Sequence, residues 1–450
     1  MLRYLTLLTP LLLLVACGGN PTAEPSAPLA TAEATAVPET AANIMAGTTS
    51  TPAPTAVPLP TSTPLPPPAT ATAVPTATPD PLRLIPHTPP AGQSEPFVPY
   101  GAVEQPPYAE SSCSDKYPCN EDTAAWEARI RVPAGFSAGY FAYLDGQQPT
   151  AMDFGPDGQL YVATQGGNIF TVNEAGEATL FFEGLTAPTG ITFRPGTNQL
   201  YISSRVVEDN ANGEANISVL EDGVLTPLIT GLPCCYAFMH GPHTIVFDTE
   251  GWGYVGVGAK ADHGEILGTN DRAELQPYEA GILRFSPDGR TVEKYAEGLR
   301  NPYGIAIDAN NQLYANDNGP DFGPPDEFHV IVPGAHHGYP YYDCPVCFTA
   351  PAGLELVPTA FEYAPHASPT GMVAYLESQF PNAYNNTFSV LWSAFPEAQR
   401  VVRHGPNGEG AETFATGFAA PIAVTVGPDG SLYVADWATG IVFRIEYGGE

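Results

Sequence analysis

Gly298-Leu-Arg-Asn-Pro-Tyr-Gly-Ile-Ala-Ile-Asp308, continued by Leu313-Tyr-Ala-Asn-Asp-Asn-Gly-Pro320, is the stretch on which the reading of this chain turns. It holds a polar turn, an apolar strand, an Asp-containing reversal, a second strand and another polar turn. Simpler copies of the phrase recur. Pro149-Thr-Ala-Met-Asp-Phe-Gly-Pro-Asp-Gly-Gln-Leu-Tyr-Val162 and Pro421-Ile-Ala-Val-Thr-Val-Gly-Pro-Asp-Gly-Ser-Leu-Tyr-Val434 are the clearest. Pro188-Thr-Gly-Ile-Thr-Phe193 with Leu200-Tyr-Ile202, and Pro242-His-Thr-Ile-Val-Phe247 with Gly253-Tyr-Val255, are two more. A degenerate copy pairs Pro369-Thr-Gly-Met372 with Thr387-Phe-Ser-Val-Leu-Trp392.

The phrase has a local physical logic. A short apolar strand runs into a Pro-Asp-Gly turn, where Pro presets φ and Gly accepts positive φ. A Leu-Tyr-Val strand then returns beside it. Further strand-like runs follow, such as Gly167-Asn-Ile-Phe-Thr-Val172 and Gly281-Ile-Leu-Arg-Phe285. This makes about four strands per unit at a period of roughly 40–65 residues. One such unit cannot cover both of its faces, so neighbours must stack, and a closed ring does this. The expected fold is therefore all-β: a six-bladed β-propeller of four-stranded antiparallel blades over residues 126–450. Arg129-Ile-Arg-Val132 is expected to close the ring by pairing with the blade that ends Gly440-Ile-Val-Phe-Arg-Ile445. No amphipathic helix is expected within the repeats.

The chain has 450 residues, 50 of them Pro, and much of the Pro lies at the front. Residues 1–16 read as an export signal, with Arg3 ahead of an apolar run too short to span a bilayer. Leu14-Val-Ala-Cys17 resembles a lipobox, which would make Cys17 a lipidated N-terminus. Residues 17–95 are rich in Pro, Thr and Ala and nearly devoid of aromatics. Such a composition cannot bury enough apolar surface to offset its ordering entropy, so an extended stalk with polyproline character is expected. Residues 96–125 are transitional. The implied location is extracytoplasmic, on a bacterial envelope membrane touched only through the lipid.

Beyond Cys17 the cysteines are Cys113, Cys119, Cys234, Cys235, Cys344 and Cys347. An even number in an exported chain points to disulfides. Cys113 and Cys119 would close a small loop. A vicinal Cys234–Cys235 disulfide is also conceivable from the sequence, and Cys344-Pro-Val-Cys347 has the spacing of a zinc half-site without a second CxxC. The net charge of −32 argues against nucleic acid and anionic lipid as partners.

In a propeller, the loops that break the repeat at one end of the channel carry the chemistry. Three here do. His240 precedes the third copy and suits a general base. Arg300-Asn301 offers a planar fork for carboxylate or carbonyl oxygens. Asn318-Gly319-Pro320, with Asp326 and Glu327, offers main-chain carbonyls and carboxylates to Ca²⁺.

Taken together these loops resemble the soluble quinoprotein aldose sugar dehydrogenases, the glucose/sorbosone dehydrogenase family. The matching stretches are Val132-Pro-Ala-Gly-Phe136, Gly298-Leu-Arg-Asn-Pro-Tyr-Gly304, Asn318-Gly-Pro320 with Asp326-Glu-Phe-His-Val-Ile331, Gly338-Tyr-Pro340, Ser368-Pro-Thr-Gly-Met372 and Phe380-Pro381. The resemblance implies a six-bladed propeller that carries pyrroloquinoline quinone and Ca²⁺. It implies oxidation of a sugar or related alcohol, with electrons leaving to an external acceptor. His240 would be the catalytic base, and Arg300, Asn301 and Gln165 cofactor contacts. Gly319 and Pro320, with Glu327, would hold the metal. Three departures stand out. Ala259 takes the place where the family often has an Asp that supports the His, with Asp262 three residues on. Leu376 replaces a Lys, and Phe418-Ala-Ala-Pro-Ile422 carries none of the basic residues that neutralise the cofactor's carboxylates. The alternative that these leave open is a non-catalytic propeller that binds glycans or surface proteins.

Overall fold

The computed structural model describes residues 80–84 and 113–449, apart from 208–212, 236–239, 263–274, 276, 321–323, 342–349 and 396. The signal sequence, Cys17, most of the stalk, Cys344 and Cys347 lie outside the described residues.

The described chain forms six sheets, each built on four antiparallel strands. Blade 1 runs Pro149–Phe154, Leu160–Thr164, Ile169–Val172, Ala178–Phe182. Blade 2 begins at Thr186–Phe193, blade 3 at Pro242–Phe247, blade 4 at Pro302–Ile307, blade 5 at Pro369–Ala374 and blade 6 at Pro421–Val426. These first strands are the repeated phrase. Each begins at the same end of the ring, so the loops before them share one mouth.

Why the phrase repeats is visible in its turn. The turn Asp accepts backbone N–H groups of the reversal through one carboxylate oxygen. Its other oxygen takes the hydroxyl of the Tyr on the returning strand. The pairs are Asp157–Tyr161, Asp248–Tyr254, Asp308–Tyr314 and Asp429–Tyr433, at 2.9–3.3 Å. The alternating partners of each strand face apolar clusters between blades, such as Ile245, Val255 and Phe285 and Phe443, Phe418 and Trp126. Burial of these side chains stabilises each blade only when its neighbour is present.

The glycine of Pro-x-Gly is set by close approach of neighbouring first strands. A Cβ on Gly304 would stand 2.0 Å from the Thr370 carbonyl oxygen of the next blade, and one on Gly371 would meet Ala423 Cα at 2.8 Å. Gly304→Ala is therefore expected to destabilise the ring by about 3 kcal/mol, the upper end for overpacking, because the obstacle is backbone. A denaturant midpoint unchanged from the parent chain would refute this.

Ring closure differs from the expectation. Phe136–Tyr143, not Arg129–Val132, pairs antiparallel with Ile441–Tyr447 and completes blade 6. Residues Thr123–Arg129 are instead a short helix, capped by the Asp122 carboxylate on Ala125 N and anchored by the buried Trp126. Arg131 makes only a single bridge to Thr416 of blade 5. The aromatic pull of Trp126 on Tyr117 and Phe443 holds that segment as a helix. Phe136-Ser-Ala-Gly-Tyr-Phe-Ala-Tyr143 then supplies the longer extended run.

A second difference concerns the stretch read as stalk. Leu82–Arg83 adds a parallel two-residue strand to the outer edge of blade 2. Arg83 forks onto Glu214 at 2.8 and 3.0 Å, and Leu84 is buried. The local Leu-Arg-Leu interrupts the Pro/Thr/Ala composition and gives this edge both an apolar group and a charge to pair.

The Cys113–Cys119 and Cys234–Cys235 disulfides are both formed.

Candidate functional site

The mouth shared by the first-strand loops collects the site residues. His240 precedes blade 3 and is 4% exposed. Its Nδ1 donates to the Ala259 carbonyl at 2.8 Å. That bond places the ring proton on Nδ1 and the lone pair on Nε2. Burial, and then the Arg300 guanidinium, hold its pKa well below the ordinary value, so the ring is neutral at neutral pH. The Ala259 departure is thus answered by backbone: the main-chain oxygen of residue 259 orients the imidazole.

Asp262 is committed elsewhere. Its carboxylate takes Arg300 Nη2 at 2.6 Å and its carbonyl takes Arg300 Nε at 3.1 Å, with both side chains buried. Arg300 Nη1 reaches the Asn318 carbonyl at 2.8 Å. Tyr339 pins the same loop by donating its hydroxyl to the Ala261 carbonyl. The Arg300-Asn301 turn is clamped from below by Asp317, whose two oxygens accept Arg300 N at 2.8 Å and Asn301 N at 2.6 Å. Asp436 clamps the equivalent turn of blade 6 through Ala419 N and Ala420 N. The sequence reading overlooked these two residues. Their signal was the shared position at the end of Leu-Tyr-Ala-Asn-Asp317 and Leu-Tyr-Val-Ala-Asp436.

Asn301 Oδ1 accepts from His243 Nε2 at 2.8 Å. The His243 ring stacks on Tyr303 with centroids 4.3 Å apart. Tyr303 crosses the channel, donating its hydroxyl to the Thr150 carbonyl of the opposite blade at 3.3 Å. His243 and Tyr303 therefore floor the mouth. Farther along the strands the channel holds a cavity of about 140 Å³ lined by residues including Thr244, Gly371 and Ala423.

The Asn318-Gly319-Pro320 turn is held by Asp326, which accepts Gly319 N at 2.8 Å and Ser368 N at 2.7 Å. Burial pushes the Asp326 carboxyl up to about 7 against those two bonds. Among the described residues no hydrogen bond reaches the Gly319 or Pro320 carbonyl oxygens, which leaves them available to a cation. Glu327, expected beside them, is turned to another partner set. Its Oε1 takes the Thr359 hydroxyl at 2.6 Å and its Oε2 stands 3.3 Å from His329 Nε2. Gln165 is at the same mouth, where its Oε1 accepts from Trp437 Nε1 at 2.9 Å.

Positive charge at the mouth comes from residues the sequence reading did not single out. Arg205, at the end of the second strand of blade 2, and Lys260, after the second strand of blade 3, are both buried. Arg205 lies close enough to His243 to depress its pKa, after burial, to about 3. Phe418 to Ile422 carries no cation, and Leu376 is exposed, as their sequence implies.

Fold and site together define a six-bladed propeller whose mouth holds an oriented neutral histidine, an Arg–Asp pair and a carbonyl-lined turn. Residues 228–444 match the family described as Glucose / Sorbosone dehydrogenase. The structure is similar to the apo-form of the soluble aldose sugar dehydrogenase from Escherichia coli (18% identity, 69% of this chain and 99% of that one, TM-score 0.56). It is also similar to the PQQ-bound form of the aldose sugar dehydrogenase from Streptomyces coelicolor (19% identity, 70% and 99% covered, TM-score 0.54). An uncharacterized protein of Borreliella burgdorferi is 26% identical over 276 residues, 57% of this chain and 70% of that protein.

Proposed function

We propose that this chain is a sugar dehydrogenase-type oxidoreductase that uses pyrroloquinoline quinone and Ca²⁺ to oxidise a sugar or related alcohol. The observation that carries this reading is His240: buried, neutral, and oriented by the Ala259 carbonyl so that Nε2 is its basic atom. A proton acceptor with a fixed tautomer beside a buried Arg–Asp pair suits removal of a hydroxyl proton from a polar substrate.

The residues present suit the two groups. The Gly319 and Pro320 carbonyls would hold Ca²⁺, a hard cation that takes oxygen ligands. Arg300 and Asn301 would face the quinone, with Arg205 and Lys260 adding the charge missing from the last blade. When bound, the quinone would supply the acceptor for the two electrons of the oxidation and Ca²⁺ a Lewis acid. His240 takes the hydroxyl proton at Nε2. Asp262 fixes the guanidinium of Arg300, and Asp317 fixes its main chain, so that neither must reorganise on binding. His243 and Tyr303 close the floor against water. Export, lipid anchoring at Cys17 and a stalk over residues 17–95 would present the mouth to an extracytoplasmic substrate and an external electron acceptor.

Titration of quinone into the Ca²⁺-loaded full chain, followed by absorbance and calorimetry, tests the reading. Stoichiometric binding and sugar-dependent reduction of an artificial acceptor are expected. The uncharged Phe418–Ile422 turn favours a second reading, a propeller that binds glycans without turnover. Sugar binding that needs no quinone, with no quinone bound at high micromolar concentration, would establish that reading instead.

A further inference from the structure

Directly beneath the Arg300-Asn301 turn, the sheet of blade 4 places three ligand-type side chains on one face. Asp317 is the cross-strand partner of Glu327, and His329 follows Glu327 by two residues on the same strand. One ligand atom from each lies within 4.8 Å of the other two. We infer that Asp317, Glu327 and His329 form a binding site for a divalent transition-metal ion of the zinc class, separate from the Ca²⁺ turn and built to brace the loop that presents Arg300 and Asn301.

The decisive group is His329. Its side chain is 0% exposed, and among the described residues neither ring nitrogen has a hydrogen-bond partner. A buried imidazole with both nitrogens unsatisfied is costly unless something absent from a protein-only structure completes it. His329 Nε2 and Glu327 Oε2 stand 3.3 Å apart without the alignment of a hydrogen bond. Two ligands bound to one ion at about 2.1 Å are separated by roughly 3.0–3.4 Å, which is the spacing seen here.

The other groups are arranged to serve this ion. Glu327 Oε1 is occupied by the Thr359 hydroxyl, which leaves Oε2 turned to His329. Asp317 already accepts Arg300 N and Asn301 N, one on each oxygen. Each carboxylate oxygen has a second lone pair, so Asp317 can ligate a metal while clamping the turn. That second-sphere bond to backbone is a common support for metal ligands. The His337 ring packs against His329 with centroids 5.1 Å apart, is 3% exposed, and has an unpartnered Nδ1. Imidazole nitrogen with two carboxylates selects zinc-class ions over Ca²⁺, which prefers oxygen alone. The inference does not depend on the proposed oxidation, because the cluster lies under the mouth and not in it.

The test is metal titration of the chelator-stripped full chain. The background is Cys344→Ser/Cys347→Ser, which removes the other zinc half-site in the sequence. One equivalent of Zn²⁺ should bind and raise the melting temperature, and Co²⁺ should give visible d–d bands shifted by nitrogen ligation. His329→Gln and Glu327→Gln should weaken Zn²⁺ binding by more than the ~10–100-fold that outer-sphere changes cost, while leaving the metal-free far-ultraviolet spectrum unchanged. His366→Gln, a His outside the cluster, should leave binding intact. Absence of saturable Zn²⁺ binding, binding indifferent to His329→Gln, or a cluster that takes Ca²⁺ in preference to Zn²⁺ would each overturn the inference. All three readouts are independent of quinone and sugar.

Discussion

Replacing His240 with Gln is expected to lower kcat of the quinone- and Ca²⁺-loaded chain by about 10²–10⁴, the range for loss of a positioned general base. Quinone affinity should remain close to that of the parent chain. Gln keeps a donor for the Ala259 carbonyl and so preserves the local geometry, but it supplies no basic lone pair. Single-turnover reduction of the bound quinone by substrate separates this loss from binding. The pH profile adds a second check. Catalysis requires neutral His240, whose pKa is lowered by burial and by Arg300. The acid limb should therefore fall well below the ordinary histidine range, with activity flat through neutrality. Full activity in His240→Gln, or an acid limb centred at or above the ordinary value, would remove His240 from the role.

Asp262→Ala is expected to be the most destabilising single change at the mouth, by about 3–5 kcal/mol, the cost of stranding one partner of a buried ion pair. Arg300 is 6% exposed and meets Asp262 at 2.6 Å. Without that carboxylate the guanidinium still meets the carbonyls of residues 262 and 318, which carry no formal charge. Asp262→Asn should recover part of the loss, since an amide oxygen can still accept. Replacing both residues, Asp262→Ala together with Arg300→Met, removes both charges and should cost less than Asp262→Ala alone. Urea unfolding of the three variants gives the order directly. If Asp262→Ala unfolds at the parent midpoint, the pair does not hold the loop.

The ring was legible because its cause is local and repeated. In four of the six blades the Asp of the turn and the Tyr of the returning strand, as in Asp308–Tyr314, are a few residues apart and form their bond within the hairpin. The Pro-x-Gly signature was equally visible, although its reason was not. Gly304 is required by the carbonyl of Thr370, which belongs to another blade. The misplaced closure strand has the same origin. Arg129-Ile-Arg-Val132 read as the closing strand, whereas the structure gives that pairing to Phe136–Tyr143. The choice between them was made by Trp126 packing against Tyr117 and Phe443, a contact that spans most of the chain.

The site divides along the same line. Sequence by itself determined the six-fold repeat and singled out the loops that carry His240, Arg300, Asn301, Gly319 and Pro320, because these loops interrupt a short-range pattern. Only the tertiary structure decided which groups act on which. It gave the His240 ring to the Ala259 carbonyl, gave Asp262 to Arg300, and set the Glu327 carboxylate between Thr359 and His329. The physical reason is that hydrogen bonds and ion pairs are fixed by distances of about 3 Å between atoms brought together by blade stacking. No residue spacing along the chain encodes those distances, whereas the strand period and the turn chemistry are written in adjacent residues.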